Sequence, residues 1–398
     1  MPRRVRGRGP AKTDARASDP ALHAKIQAVA ESLLPPKGVR QAEVLARIGE
    51  PLLDLLAERP PHGQRQAAAT IRAASLVGGD AALPLIAGCA KTTGWPVREA
   101  LQRAWLLFDV KEFAQMVLSG SPHARALTIT DQSQLPSLPH ITGLRSLSVE
   151  CPEGTIDLTV VRDLPALESL NITGGTGADL TPLSGHQALS NILVLGSGAP
   201  VDLGPLPTVP QLHYLYLTAD RVTGLEGLRD SAGLQRLGLE YLSNIDQLPT
   251  YLPVRPLRNL ALSGGTLRTL GPMLGIPQLA ELEELDFWGL SALHSIYGVE
   301  RWAGTLQSLS LVRCEHVLNL EPLVSLPRLE HLQLDPDPAP DLHTVRRLSS
   351  LRELMLFGNS TVDLSALEGM PSLTVRVRRG QKVLGAQMLG DGSKVARI

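Results

Sequence analysis

One six-residue frame, Leu-x-x-Leu-x-apolar, returns at a nearly constant interval through most of the chain. It is first complete at Leu144-Arg-Ser-Leu-Ser-Val149. It recurs as Leu167-Glu-Ser-Leu-Asn-Ile172, Leu189-Ser-Asn-Ile-Leu-Val194, Leu212-His-Tyr-Leu-Tyr-Leu217, Leu234-Gln-Arg-Leu-Gly-Leu239 and Leu257-Arg-Asn-Leu-Ala-Leu262. It goes on as Leu282-Glu-Glu-Leu-Asp-Phe287, Leu306-Gln-Ser-Leu-Ser-Leu311, Leu329-Glu-His-Leu-Gln-Leu334 and Leu351-Arg-Glu-Leu-Met-Leu356. Successive starts lie 23, 22, 23, 22, 23, 25, 24, 23 and 22 residues apart. Such a period means one unit copied in series, each copy burying its apolar face on its neighbours. Side chains alternate along a strand, so the frame's apolar residues face inward and the residues between them outward. Each copy therefore predicts one short parallel strand.

The second half of the unit has its own pattern, seen in Asp179-Leu-Thr-Pro-Leu183, Asp202-Leu-Gly-Pro-Leu206, Asn319-Leu-Glu-Pro-Leu323 and Asp363-Leu-Ser-Ala-Leu367. Too few residues separate one strand from the next for a full helix, but a single helical turn fits, with proline preset for its first positions. Asp157, Asp179, Asp202, Asp246, Asp341 and Asp363 precede that turn, where a short acceptor side chain caps free backbone N–H groups. A calcium site is the competing reading of this ladder. It needs 6 to 8 oxygens converging on one point, which a once-per-copy aspartate does not supply.

These copies resemble the short, internalin-like bacterial class of leucine-rich repeat, from residue 125 to about 378. The resemblance implies a solenoid with a curved parallel sheet on its concave side, and a fold class of α+β repeat protein. The Asn or Cys usual after the third apolar position survives only as Cys314 and Asn359. Gly175, Asp220, Gly265 and Asp337 stand there in other copies.

Ahead of the repeats the pattern is helical, with apolar residues three and four apart and breakers between segments. Helices are expected over 21–34, 39–58, 63–77, 80–93 and 96–118, the last opening at Trp95-Pro96 and interrupted near Asp109. Trp105, Leu106, Phe108, Phe113 and Val117 form its expected core face. Residues 1–19 combine Arg3, Arg4, Arg6, Arg8, Lys12 and Arg16 with Gly and Pro and too little apolar surface to fold. The expected organisation is a disordered basic leader at 1–19, a helical domain at 20–120, repeats at 125–378 and a closing cap at 379–398. Within that cap Lys382-Val-Leu384 is expected to supply a closing strand, because a last repeat left bare would expose its strand edge.

The formal charge is −1 and the pI about 6.8, so no chain-wide basic field draws the chain to nucleic acid or anionic membrane. Only the basic leader offers a local nucleic-acid contact. The three cysteines, Cys89, Cys151 and Cys314, are odd in number and far apart, which indicates neither a disulfide framework nor a metal site and suits a reducing, cytoplasmic setting. No apolar run reaches the roughly 18 residues that span a bilayer.

Candidate binding residues are read from the outward strand positions. They are Tyr214, Tyr216, Arg236, Glu240, Glu284, Asp286, Trp288, His331, Gln333, Asp335, Glu353, Met355 and Phe357. Exposed aromatics on such a face anchor partners, unless they shield one another across neighbouring strands. Carboxylates outnumber cations among these positions, which argues against a phosphate backbone and for a polypeptide of basic or mixed character. The longer units around 257–305, with Gly264-Gly265 and Pro272 to Pro277, are where solenoids place extra loops.

Signals of enzyme chemistry fail on spacing or context. Gly88-Cys-Ala-Lys-Thr-Thr93 lacks the glycine spacing and the preceding strand of a phosphate loop. Gly174-Gly-Thr-Gly177 and Gly196-Ser-Gly198 lie in turns between copies rather than between strand and helix. Asp335-Pro-Asp-Pro-Ala-Pro-Asp341 has no central glycine and too many prolines for an EF-hand loop. No catalytic residue, metal ligand or cofactor site is indicated. Trp95-Pro-Val-Arg-Glu-Ala-Leu-Gln-Arg-Ala-Trp105 and Asp109-Val-Lys-Glu-Phe-Ala114, followed by short repeats, look like the C-terminal sensor half of actinobacterial NACHT-type signal-transduction ATPases, a likeness covering residues 21 to 378. That likeness implies a sensor acting with a separate ATPase, since this sequence has no Walker A lysine to carry ATPase activity. The expected function is non-enzymatic binding of a protein or peptide on the concave face, an enzyme with an unrecognised site being the remaining alternative.

Overall fold

The computed structural model of the chain describes residues 49, 51–152, 154–175, 177–197, 201–219, 222–224, 226–229, 231–240, 252, 256–264, 266–335, 342–358 and 361–398. The basic leader, the helix expected at 21–34, most of the one expected at 39–58, and Asp220, Asp246, Gly265, Asp337, Asp341 and Asn359 lie outside the described residues. So does the Pro336 to Asp341 segment. Two compact units divide at Ser148 and Val149.

In the first unit, helices α1 (Pro51–Ala57), α2 (Gln64–Val77), α3 (Ala82–Cys89) and α4 (Trp95–Trp105) match the expected breakers. Pro96 occupies the first turn of α4, whose buried face is Val97, Ala100, Leu101, Ala104 and Trp105, the spacing of one helical stripe. Leu52, Leu55 and Leu56 of α1 meet Ala69 and Ala73 of α2, where alanines allow close approach. The segment over 96–118 breaks at Asp109, as its sequence suggested. The Asp109 side chain accepts from the backbone N–H groups of Lys111 and Glu112 and starts a fresh turn, Val110–Phe113, which runs on as a π-helical turn, Ala114–Leu118. Trp105 Nε1 donates to the Val110 carbonyl at 2.9 Å and closes the corner. The break leaves Leu106 exposed rather than in the core face, while Phe113 and Val117 are buried and Phe108 stacks on Phe113 at 5.6 Å. Gly88 and Cys89 end α3, a helix and not a phosphate loop.

Strand β1 (Ala126–Ile129) and a long 3-10 segment, Gln132–His140, follow. Asp131 caps that segment in a capping box with Gln134, whose side-chain oxygen accepts from the Asp131 backbone N–H at 3.2 Å. Strand β2 (Ser146–Glu150) carries the first full frame.

The second unit is a series of parallel strands laid down in chain order. They are β3 (Ser169–Thr173), β4 (Asn191–Ser197), β5 (Tyr214–Ala219), β6 (Arg236–Glu240), β7 (Asn259–Ser263), β8 (Glu284–Trp288), β9 (Ser308–Val312), β10 (His331–Leu334), β11 (Glu353–Leu356), β12 (Thr374–Val377) and β13 (Lys394–Arg397). Register is kept from copy to copy: Leu237 pairs with Leu215 and Leu260, Leu309 with Leu285 and Leu332. Equivalent frame positions therefore form continuous rows. The inward rows are buried from β3 to β12 and open at β13, where Val395 is half-buried and Arg397 exposed. One irregularity lies in β4 beyond Val194, where Gly196 adopts φ 71 and the pairing with β5 shifts.

The expected single helical turns are present as 3-10 turns, among them Thr181–Leu183 and Glu321–Ser325 with proline at the first positions. The aspartates cap them: Asp157, Asp179, Asp202 and Asp363 accept from the backbone N–H two residues on at 2.9, 2.9, 3.1 and 2.9 Å, and Asn319 does the same at 2.9 Å. Those backbone bonds hold the carboxyl groups of Asp157 and Asp363 below the ordinary carboxylate range, and the Thr181 hydroxyl, then its backbone N–H, does so for Asp179. Two-residue parallel ladders, such as Val201–Asp202 with Val222–Thr223, stand just ahead of several caps and were not expected.

Two expectations change. The extra length at 271–279 is not a loop but a short helix, Gly271–Leu274, and a 3-10 turn, Pro277–Leu279. Lys382 to Leu384 does not close the sheet; Val383–Leu384 pairs with Val362–Asp363, and β13 instead adds one more copy beside β12. The copy is hidden in the sequence because Val395 and Arg397 stand where the frame has two large apolar groups.

Candidate functional site

The outward rows of the second unit set the geometry of the candidate site. Register puts Tyr214, Arg236, Asn259, Glu284, Ser308, His331, Glu353, Thr374 and Lys394 in one row, each beside the next. A second row runs Tyr216, Gly238, Ala261, Asp286, Ser310, Gln333, Met355 and Arg376. Neighbours in a row are about 4.8 Å apart, so both rows are continuous surfaces.

The predicted residues fall into three groups. Tyr214, Tyr216, Arg236 and Glu240 come together over β5 and β6. The Tyr216 hydroxyl donates to Glu240 Oε1 at 2.5 Å, reaching across to the next strand, and the two tyrosine rings lie 6.4 Å apart. Both rings are half-buried. Their mutual shielding is along one strand, not across neighbouring strands as expected. Burial, then the hydrogen bond to Glu240, pushes the Tyr216 phenol well above the usual tyrosine range, so it stays a donor. Gly238 permits this arrangement, because a β-carbon there would fall 2.9 Å from Tyr216 Cγ and nearer still to Cδ2. Residue-by-residue reading missed Gly238. The signal was available as the one glycine at an outward position of a complete frame.

Glu284, Asp286 and Trp288 share β8, three strands on from β5 and two from β6, so the strand spacings are about 14 and about 10 Å. Asn259 Nδ2 donates to Glu284 Oε2 from the neighbouring strand. Asp286 keeps exposed surface, yet crowding on the sheet face, helped by Glu284, pushes its carboxyl up to about 6. The Trp288 side chain is 52% exposed, the largest aromatic surface on the sheet face. It lies between Ser263 and Val312 and does not join the tyrosines.

The third group surrounds Glu353, which accepts from Arg376 Nε and lies 3.5 Å from His331 Nδ1. A groove of about 860 Å³ opens here across β10 to β13, its walls including Arg328, Arg352 and Lys394. The acidic excess expected for the whole face therefore belongs to its central strands, since Arg376 and Lys394 lie past the residues enumerated from the frame. Gln333 and Met355 are half-buried on the same two strands as His331 and Glu353, and Asp335 and Phe357, also half-buried, sit just beyond the strand ends.

All three cysteines are free and buried, and burial pushes the thiols of Cys89 and Cys314 up to about 11, which leaves them inert. Buried His186 is committed to the backbone, its Nδ1 accepting from Leu189 N–H at 3.1 Å and its Nε2 facing the Leu164 carbonyl at 3.0 Å. Among the described residues no three His, Cys, Asp or Glu side chains are placed to hold a metal ion, and no helix is long and apolar enough to cross a membrane.

No protein-family model and no curated protein matches the sequence. Among solved structures the chain is similar to an internalin from Listeria monocytogenes, at 16% identity over 65% of this chain and 78% of that one with a TM-score of 0.33. It is also similar to a second internalin of that organism, internalin C2, at 20% identity over 57% and 84% with a TM-score of 0.32. A structure of the Rad7 and Elc1 complex in yeast is similar at 15% identity over 80% and 93%, with a TM-score of 0.43. At such identities and scores these likenesses add nothing to the geometry. The strand order, the constant register and the inward leucines make the second unit a leucine-rich repeat solenoid.

Proposed function

We propose that this chain is a non-enzymatic binding module that holds a polypeptide partner on the concave, outward face of its repeats, centred on β5 to β8. The observation that carries this reading is the tethering of Tyr216. Its ring is seated over Gly238 and its hydroxyl fixed by Glu240, so a large amphipathic side chain is held in one conformation before any partner arrives. Preordered aromatics contribute most to interfaces because little rotamer entropy remains to be lost. Trp288 supplies a second, more exposed anchor. Between them Asp286, its carboxyl pushed up to about 6 by burial and by Glu284, gains from a cation brought by the ligand, which supports a partner with a basic residue at that point.

Replacing Tyr216 and Trp288 together by alanine removes both anchors and leaves the inward leucines untouched. Affinity capture from the native host, read by mass spectrometry, should lose specific proteins with the double variant. An unchanged set of captured proteins would refute the site.

A second reading is supported by the capped helical segment from Trp95 to Ala114 ahead of the repeats. In it, the module is the ligand-sensing part of a NACHT-type system and acts in trans with a separate ATPase in the cytoplasm. Capture of an ATP-hydrolysing protein whose retention depends on added nucleotide tests it, and nucleotide-independent capture counts against it.

A further inference from the structure

We propose that the groove over β10 to β13 takes an acidic segment of polypeptide, so that the binding face is divided by charge. The inference rests on the polypeptide-binding reading and adds what its last strands select. Four permanent cations, Arg328, Arg352, Arg376 and Lys394, line the groove against two carboxylates, Glu330 and Glu353. Both carboxylates are already engaged. Glu353, with its side chain 17% exposed, is held by Arg376 and faced by His331, and Glu330 sits 3.4 Å from Arg352. Arg352 remains 73% exposed despite that pair. Among the described residues Arg328 and Lys394 have no carboxylate partner, so positive charge is left over and faces the cavity.

The dimensions suit a short extended segment. His331, Glu353, Thr374 and Lys394 are successive neighbours across four strands. That is about 14 Å, or roughly four extended residues. A nucleic-acid backbone fits less well, because its evenly repeated charge would continue onto Glu240, Glu284 and Asp286 on the same face. An acidic stretch of polypeptide can stop where the sign changes. Complementarity of this kind sets register and encounter rate more than total affinity.

The test uses the full chain and a fluorescent short peptide of alternating Asp and Glu, with its Asn and Gln counterpart as control. Anisotropy should show saturable binding of the acidic peptide alone, weakened about ten-fold between low salt and roughly 0.15 M salt. Arg352→Glu with Lys394→Glu should lower the affinity by at least about ten-fold, while Tyr216→Ala with Trp288→Ala should change it by less than about two-fold. Arg328→Glu gives the same readout if the double reversal does not fold. No saturation, equal binding of the amide peptide, or unchanged affinity in the reversals overturns the proposal. So does tighter binding of a single-stranded RNA oligomer of equal charge. If the proposal is overturned while the Tyr216 and Trp288 substitutions still alter capture from the host, the central polypeptide site stands and only the groove assignment falls.

Discussion

Tyr216 occupies the space that a side chain at Gly238 would need: an added β-carbon would stand 2.9 Å from Tyr216 Cγ, and closer to the ring edge. The two residues are direct partners on neighbouring strands. The glycine is there for the tyrosine, since its backbone is not in the left-handed region where glycine is otherwise required.

Gly238→Ala should therefore change sign with its background. In the native chain it forces Tyr216 off its seat, costing about 1–2 kcal/mol as an overpacked contact. In a Tyr216→Ala background the same change should be neutral or stabilising by up to about 1 kcal/mol, as glycine removal from a strand usually is. Denaturant unfolding of the four-member cycle checks this, and equal effects in both backgrounds would contradict it.

Asp286 makes a pH prediction. Its folded pKa is raised to about 6, so the stability tied to it is fully present below the ordinary aspartate value near 4 and is lost as pH rises through 6. Asp286→Asn should be more stable than the native chain at pH 7.5, by no more than about 1 kcal/mol because solvent screens an exposed carboxylate. Below about pH 4 the difference should vanish. Thermal midpoints measured for both chains from pH 4 to 7.5 decide it.

The capping aspartates should act alike wherever they occur. Asp179 Oδ1 accepts from the Thr181 backbone N–H at 2.9 Å, and Asp179→Ala should cost about 1 kcal/mol, while Asp179→Asn should cost much less. Its carboxyl titrates below the usual range, so its contribution is present above about pH 4 and disappears on further acidification. Calcium should leave the melting temperature of the native chain unchanged, which separates capping from coordination.

Trp302 ties the longest units together. It is fully buried, and its Nε1 donates to the Leu279 carbonyl at 2.5 Å. Trp302→Phe removes that donor and opens a void, with an expected loss of about 2–4 kcal/mol. Trp288→Phe, at a half-exposed position, should cost within about 0.5 kcal/mol. Urea unfolding of the two variants side by side gives the comparison.

Much of the architecture was legible in the sequence. The Leu-x-x-Leu-x-apolar period set the strands from Leu144 to Leu356, the aspartates marked the turns, and Pro96 and Asp109 marked helix starts. Some of the rest could have been read and was not: Asp131 with Gln134 is a capping box, and Arg376 is the outward position two residues after Thr374. Strand β13 was less accessible, because Val395 and Arg397 stand where the frame has its two large apolar groups.

Which residues face inward and which outward follows from the sequence, because strand side chains alternate and a period held over so many copies leaves one register that buries the leucines opening each frame. Which outward residues meet is a property of the assembled sheet. Tyr216 with Glu240 and Gly238, or Glu353 with Arg376 and His331, are partners some 22 to 24 residues apart in the chain. Their meeting depends on rotamers and on the side chains of the next strand, about 4.8 Å away, and no pattern within a single copy encodes that.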